Sequence, residues 1–109
     1  MDFNTYQKNS RLTAQYPNLG ENYIYPTLGL VGEAGEVAEK VKKVIRDKKG
    51  VFDDESQKGL KKELGDVLWY VSNICTEFNF SLEEVALQNL EKLKLRVAED
   101  KISGSGDDR

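Results

Sequence analysis

Apolar residues recur along this chain with a period near 3.6, and nowhere do they alternate for long enough to read as a strand. Four helices are predicted. The first spans about Thr5 to Tyr16, with Asn4 as its N-cap and Gln7 three residues later, and Pro17, Asn18 and Gly20 stop it. A loop through Tyr25-Pro26 leads into the second, roughly Thr27 to Lys48. Arg46 and several lysines at its end suit the helix dipole, and Gly50 closes it. The third spans about Asp54 to Phe78. The fourth starts from the capping box Ser81-Leu82-Glu83-Glu84 and runs to about Asp100. The expected organisation is a single all-α domain over residues 1–102, a helical bundle of about four helices. A Ser/Gly-rich flexible tail over 103–109 follows.

Successive residues turn by about 100° around a helix, which locates the faces. On the second helix, Ala34, Val37, Ala38, Val41, Val44 and Ile45 make one apolar stripe, with Glu33 at its edge, Glu36 further round and Glu39 almost opposite. On the third the stripe is Leu60, Leu64, Val67, Val71, Ile74, Cys75 and Phe78. Glu63 and Asp66 flank it, in line with Tyr70, Asn73 and Glu77. Trp69 falls on the opposite face, where a large aromatic ring more often meets a partner or ligand than water. So small a bundle is expected to complete its core by oligomerising, as a homodimer or homotetramer.

Composition narrows the chemistry. At 109 residues with 39% hydrophobic and 32% charged residues, the chain suits one soluble domain. Its apolar runs are too short to span a membrane, the N-terminus does not resemble a signal peptide, and a lone Cys75 forms no internal disulfide. These features point to the cytoplasm. A net charge of −3 argues against a nucleic-acid-binding module. There is no histidine. Ser-His and Cys-His nucleophilic systems, imidazole zinc sites and Glu-x-x-His di-iron sites are therefore excluded. Any metal must be held by oxygen ligands, which favours magnesium, with manganese as a substitute.

Two segments echo each other, Glu33-Ala34-Gly35-Glu36 and Glu63-Leu64-Gly65-Asp66. Each puts two carboxylates at i and i+3 on one helix face, where like charges repel. Each also has a glycine before its second acid, at a cost of about 1 kcal/mol relative to alanine. Helices crossing at Gly35 and Gly65 would gather four carboxylates, a cluster that a divalent cation resolves. The residues alone allow a second reading, since E-x-x-E arises by chance in acidic helical proteins and acidic faces are usually just solvated. Asn89, Lys92 and Arg96 line one edge of the fourth helix, available to phosphate oxygens or to Glu91 and Asp100. The pair Gly29 and Gly32 lacks the Gly-Lys-Ser/Thr ending of a phosphate loop.

The stretch Tyr25-Pro26-Thr27-Leu28-Gly29-Leu30-Val31-Gly32-Glu33-Ala34-Gly35-Glu36-Val37 closely resembles the MazG-like nucleotide pyrophosphohydrolases. Their signature is E-x-x-E, a spacer and E-x-x-D; here residues 37–62 separate Glu36 from Glu63. Asn89-x-x-Lys92-Leu93-x-x-x-Arg96 is similar to the family's pattern on its last helix. The resemblance covers nearly the whole chain apart from the tail. It implies an all-α fold, a dimer or tetramer with sites completed by neighbouring subunits, and often a house-cleaning role on deoxynucleotides.

The expected reaction is magnesium-dependent hydrolysis of (deoxy)nucleoside triphosphates to monophosphate and pyrophosphate. Glu33, Glu36, Glu63 and Asp66 would hold the metal. Lys62, Lys92 and Arg96 would steady the phosphates, Trp69, Tyr70 or Tyr25 would stack on the base, and Asn73 would read a base or sugar edge. Phosphoribosyl-ATP pyrophosphohydrolases and dUTP hydrolases share the fold and are the enzymatic alternatives. A helical protein-interaction module is the non-enzymatic one.

Overall fold

A computed structural model of the chain describes residues 1–99. Four helices appear: α1 (Phe3–Leu12), α2 (Ile24–Lys48), α3 (Asp54–Glu77) and α4 (Leu82–Ala98). No strand occurs among the described residues, so the all-α expectation holds. The expected end of α4 at Asp100, the last residues of the expected domain and the tail over 103–109 lie outside the described residues.

Local chemistry explains most boundaries. Asp53 opens α3 by accepting the Ser56 N–H at 2.8 Å, and Ser81 opens α4 by accepting the Glu84 N–H at 3.2 Å. α2 closes through Lys49 and Gly50, both left-handed (φ 53° and 79°), with the Gly50 N–H on the Val44 carbonyl at 3.1 Å.

Two helices depart from the expected limits. The cap of α1 is Asp2, whose carboxylate accepts the Thr5 N–H at 2.8 Å. Asn4 and Gln7 are engaged elsewhere, on the turn between α3 and α4. Asn4 Nδ2 donates to Glu83 at 2.8 Å, and Gln7 donates to the Phe80 carbonyl at 2.8 Å while accepting the Leu82 N–H at 2.9 Å. α1 also stops at Leu12, because the Thr13 hydroxyl bonds back to the Ser10 carbonyl at 2.7 Å and Ala14 and Tyr16 turn inward. α2 starts at Ile24, ahead of the expected Thr27. Pro26 is accommodated because the first-turn N–H groups have no partner inside the helix, and Asn22 Oδ1 accepts the Tyr25 N–H at 3.1 Å.

α2 and α3 pair along their length as an antiparallel hairpin, while α1 and α4 pack on each other and on α3. No Cα of α2 comes within 8 Å of α1 or α4. The α1–α3 contact is built from small polar groups: Ser10 Oγ meets Ser72 Oγ at 2.8 Å, and Ser72 and Asn73 are fully buried. The apolar stripes are only partly covered. Val44 and Cys75 are buried, but Ile45, Leu64 and Phe78 from the same stripes are exposed, and on α4 Leu82 is buried while Leu90 and Val97 are exposed. One chain therefore leaves much of its predicted core open.

Candidate active site

Pairing α2 with α3 in opposite directions brings their acidic motifs side by side. Glu33, Glu63 and Asp66 each offer a carboxylate oxygen, and the three oxygens lie within 4.8 Å of one another. Glu33 and Glu63 are half-buried and Asp66 is exposed. A hydrogen bond to Glu63, partial burial and the negative charges of Asp66, Glu63 and Glu36 raise the Glu33 carboxyl to about 7. A cation bound there would favour the ionised form that this crowding disfavours. Adjacent oxygens around octahedral magnesium lie about 3 Å apart and opposed ones about 4.2 Å, so the three side chains would have to draw together to share one ion. Glu36 is exposed and stands outside the trio, near enough to act on Glu33.

The expected crossing at Gly35 and Gly65 is not observed: a β-carbon on either would meet nothing within 4 Å. The close approach lies one turn before Glu33, at Gly29, where a β-carbon would sit 2.2 Å from Tyr70 Cε1. Gly29 leaves room for the Tyr70 ring against α2 beside the acids. Burial, followed by Tyr25, Glu33 and Asp66, raises the Tyr70 phenol. Gly29→Ala is expected to push this ring aside and cost about 1–3 kcal/mol, as overpacking does. A thermal melt checks this, and an unchanged melting temperature would place the ring elsewhere.

Trp69 packs edge-on to Tyr70 with centroids 5.1 Å apart, and its indole N–H donates to Thr13 Oγ1 at 2.8 Å. The face of α3 expected to meet a partner or ligand is thus met by the chain's own residue just past α1. Tyr25 stacks on Tyr16 at 5.0 Å with 14° between the planes. Asn73 is fully buried with both ends of its amide engaged, accepting from Arg11 at 3.2 Å and donating to the Trp69 carbonyl at 3.0 Å. Lys62 lines a groove together with Glu63. On α4, Asn89 is exposed, Lys92 half-buried and Arg96 buried, and this helix does not pack against α2.

Two features were not foreseen from the sequence. Tyr6 of α1 lies near the site; burial and then Asp66 raise its phenol. Glu77 lies at the centre of a buried network, its side chain 1% exposed. It accepts from Tyr16 Oη at 2.5 Å, from the N–H groups of Gly20 (3.0 Å) and Asn22 (2.7 Å), and pairs with Arg11 at 2.7 Å. Burial pushes the Glu77 carboxyl up, but these donors outweigh it and hold it at about 2. The carboxylate thereby ties down the loop that precedes α2, including the Tyr16 ring on which Tyr25 stacks. The only sequence signal was its place in line with Asn73 on α3.

Residues 25–99, which contain both acidic motifs, match the family model of the MazG nucleotide pyrophosphohydrolase domain. The chain belongs to this family. Gene 37 protein of Mycobacterium phage L5 is 46% identical over 114 residues, with all of each chain covered. No solved structure matches. The MazG match makes the chain a nucleotide pyrophosphohydrolase by family, and the acidic trio is a cluster able to hold a metal ion. No helix among the described residues is long and apolar enough to cross a membrane.

Proposed function

We infer that this MazG protein hydrolyses (deoxy)nucleoside triphosphates to monophosphate and pyrophosphate with magnesium, in a house-cleaning role on the nucleotide pool. The observation that carries this is the convergence of Glu33, Glu63 and Asp66 from two helices. Glu33, Glu63 and Asp66 would hold a divalent ion, which would supply neutralisation of charge on the phosphates. Water attacks the α-phosphorus and pyrophosphate leaves. The water's proton is taken on the α2 side, where Glu33 and Glu36 stand. Tyr70, Tyr25 and Trp69 offer faces for the base, and Lys62 is the cation beside Glu63. Asn73 does not take the expected part of reading a base or sugar edge, because it is fully buried with its amide on Arg11 and the Trp69 carbonyl; its part is to hold α1 against α3.

A dimer or tetramer is part of this reading. On the two helices that carry the acidic trio Leu28 is 67% exposed, Val31 68% and Leu64 50%, apolar surface that a second copy would cover. Since α4 does not reach α2 within one chain, the neighbouring copy would present Asn89 and Lys92 to the phosphates, while Arg96, buried in its own chain, would hold α4 in place.

The test is pyrophosphate release from a panel of ribo- and deoxynucleoside triphosphates, including dUTP, with phosphoribosyl-ATP alongside. Each is run with magnesium and with chelator. Magnesium-dependent release with monophosphate as co-product is expected, and the ranking names the substrate. Magnesium should also raise the melting temperature, because only the folded chain assembles the site. Silence across the panel with no metal-induced stabilisation would leave the interaction-module reading.

A further inference from the structure

Beyond Glu63, towards the turn that joins α2 to α3, a groove of about 590 Å³ runs between the two helices. Lys40, Lys43 and Lys48 line it from α2, and Lys58 and Lys62 from α3, against the carboxylates of Asp47, Glu55 and, at the border of the acidic trio, Glu63. Some of this charge is already neutralised. Lys48 pairs with Asp53 at 2.9 Å, Lys43 reaches Glu39 at 3.8 Å, and the lining Asp47 is held by Arg46 at 2.8 Å. Lys40, Lys58 and Lys62 have no carboxylate within 4.0 Å among the described residues.

The helix dipole does not explain these three. Arg46 and Lys48 occupy the last turn of α2, where cations are favoured, but Lys40 lies two turns earlier. Lys58 and Lys62 stand in the N-terminal half of α3, where the dipole gives cations nothing. Lys40 also bends across α3: a β-carbon on Gly59 would lie 3.7 Å from its Nζ. Gly59 precedes Glu63 by four residues, about 6 Å along the helix axis. The hairpin therefore changes character in a fixed order, from Tyr25 and Tyr70 at one end, through the carboxylates, to unpaired ammonium groups at the other. A nucleoside triphosphate has the same order, with base and sugar, then the α-phosphate, then a highly charged diphosphate.

The geometry points to this groove as the seat of the terminal diphosphate, and of pyrophosphate after cleavage, with Lys40 and Lys58 as its ligands beyond Lys62. This rests on the triphosphate reading above, and it sets the direction in which the substrate lies.

The experiment is calorimetric titration of the full chain with inorganic pyrophosphate and magnesium, for wild type, the double variant K40Q/K58Q and the control K42Q. Lys42 is exposed and pairs with Glu39 at 3.0 Å, so K42Q alters net charge on the same helix outside the groove. The double variant should bind pyrophosphate at least tenfold more weakly, while K42Q stays within twofold. Thermal melts confirm that all three fold. Equal affinity in K40Q/K58Q and wild type, or no binding by wild type, overturns the assignment. Triphosphate hydrolysis by wild type is followed in parallel. Lysine-dependent pyrophosphate binding without hydrolysis would remove the enzymatic reading and keep the groove as an anion site. Hydrolysis with pyrophosphate binding indifferent to Lys40 and Lys58 would do the reverse.

Discussion

Glu63→Ala is expected to lower magnesium-dependent pyrophosphate release at least about 100-fold while leaving helix content unchanged. A 100-fold loss corresponds to about 2.7 kcal/mol of transition-state stabilisation, within the several kcal/mol that an ion supplies to phosphoryl chemistry. Glu63 is the carboxylate that hydrogen-bonds Glu33 and closes the trio from α3, so its removal leaves two donors where three converge. Stability should move the other way. Without Glu63 the Glu33 carboxyl loses both its hydrogen-bond partner and a like charge, so crowding among the acids is relieved. In chelator the variant should melt no lower than wild type, and the rise on adding magnesium should shrink or vanish. Pyrophosphate release and circular dichroism measure the two sides, and wild-type turnover in this variant would sink the metal-site reading.

Glu77→Ala carries the largest expected cost in stability. The side chain is almost wholly enclosed and satisfies four donors, and breaking a buried pair costs about 3–5 kcal/mol. In a domain of this size that lowers the melting temperature by about 10–20 °C. The effect also depends on pH, with a definite sign. The folded carboxyl titrates near 2, below its ordinary value of 4.5, while the Arg11 guanidinium facing it stays charged throughout. The stabilisation is therefore fully present above about 4.5 and lost as pH falls from there towards 2. Melts of wild type and variant at pH 7, 4 and 2.5 should show a wide gap that closes on acidification. A gap that stays constant with pH would assign the effect to packing instead of charge. Because Glu77 holds the loop before α2, the variant should also raise KM through a displaced Tyr25.

Several parts of this protein were legible in one dimension because they rest on contacts three or four residues apart. Asp53 and Ser81 bond to the N–H three residues on, and Lys49-Gly50 ends α2 by local backbone conformation, so these limits followed from residue type. The same spacing put Glu63 and Asp66 on one face of α3 and Glu33 at the edge of α2's apolar stripe. The absence of histidine by itself favours oxygen ligands for any metal.

Other features depend on residues far apart in the chain, and no local pattern encodes them. Asn4 and Gln7 looked like the cap of α1, yet they clasp the start of α4, more than 70 residues away, and the cap falls to Asp2. The glycines of the acidic motifs suggested the crossing, but the ring that needs room is Tyr70, opposite Gly29. Glu77 gathers its donors from α1 and the following loop, and Lys40 finds Gly59 only once the hairpin closes. By itself the sequence determined the helices, their faces and the kind of chemistry those faces can carry, since periodicity and side-chain type are local properties. Only the tertiary structure decided which acids converge, which polar groups are buried and where the unpaired lysines lie. Those outcomes depend on how two helix surfaces meet, and that is settled by packing.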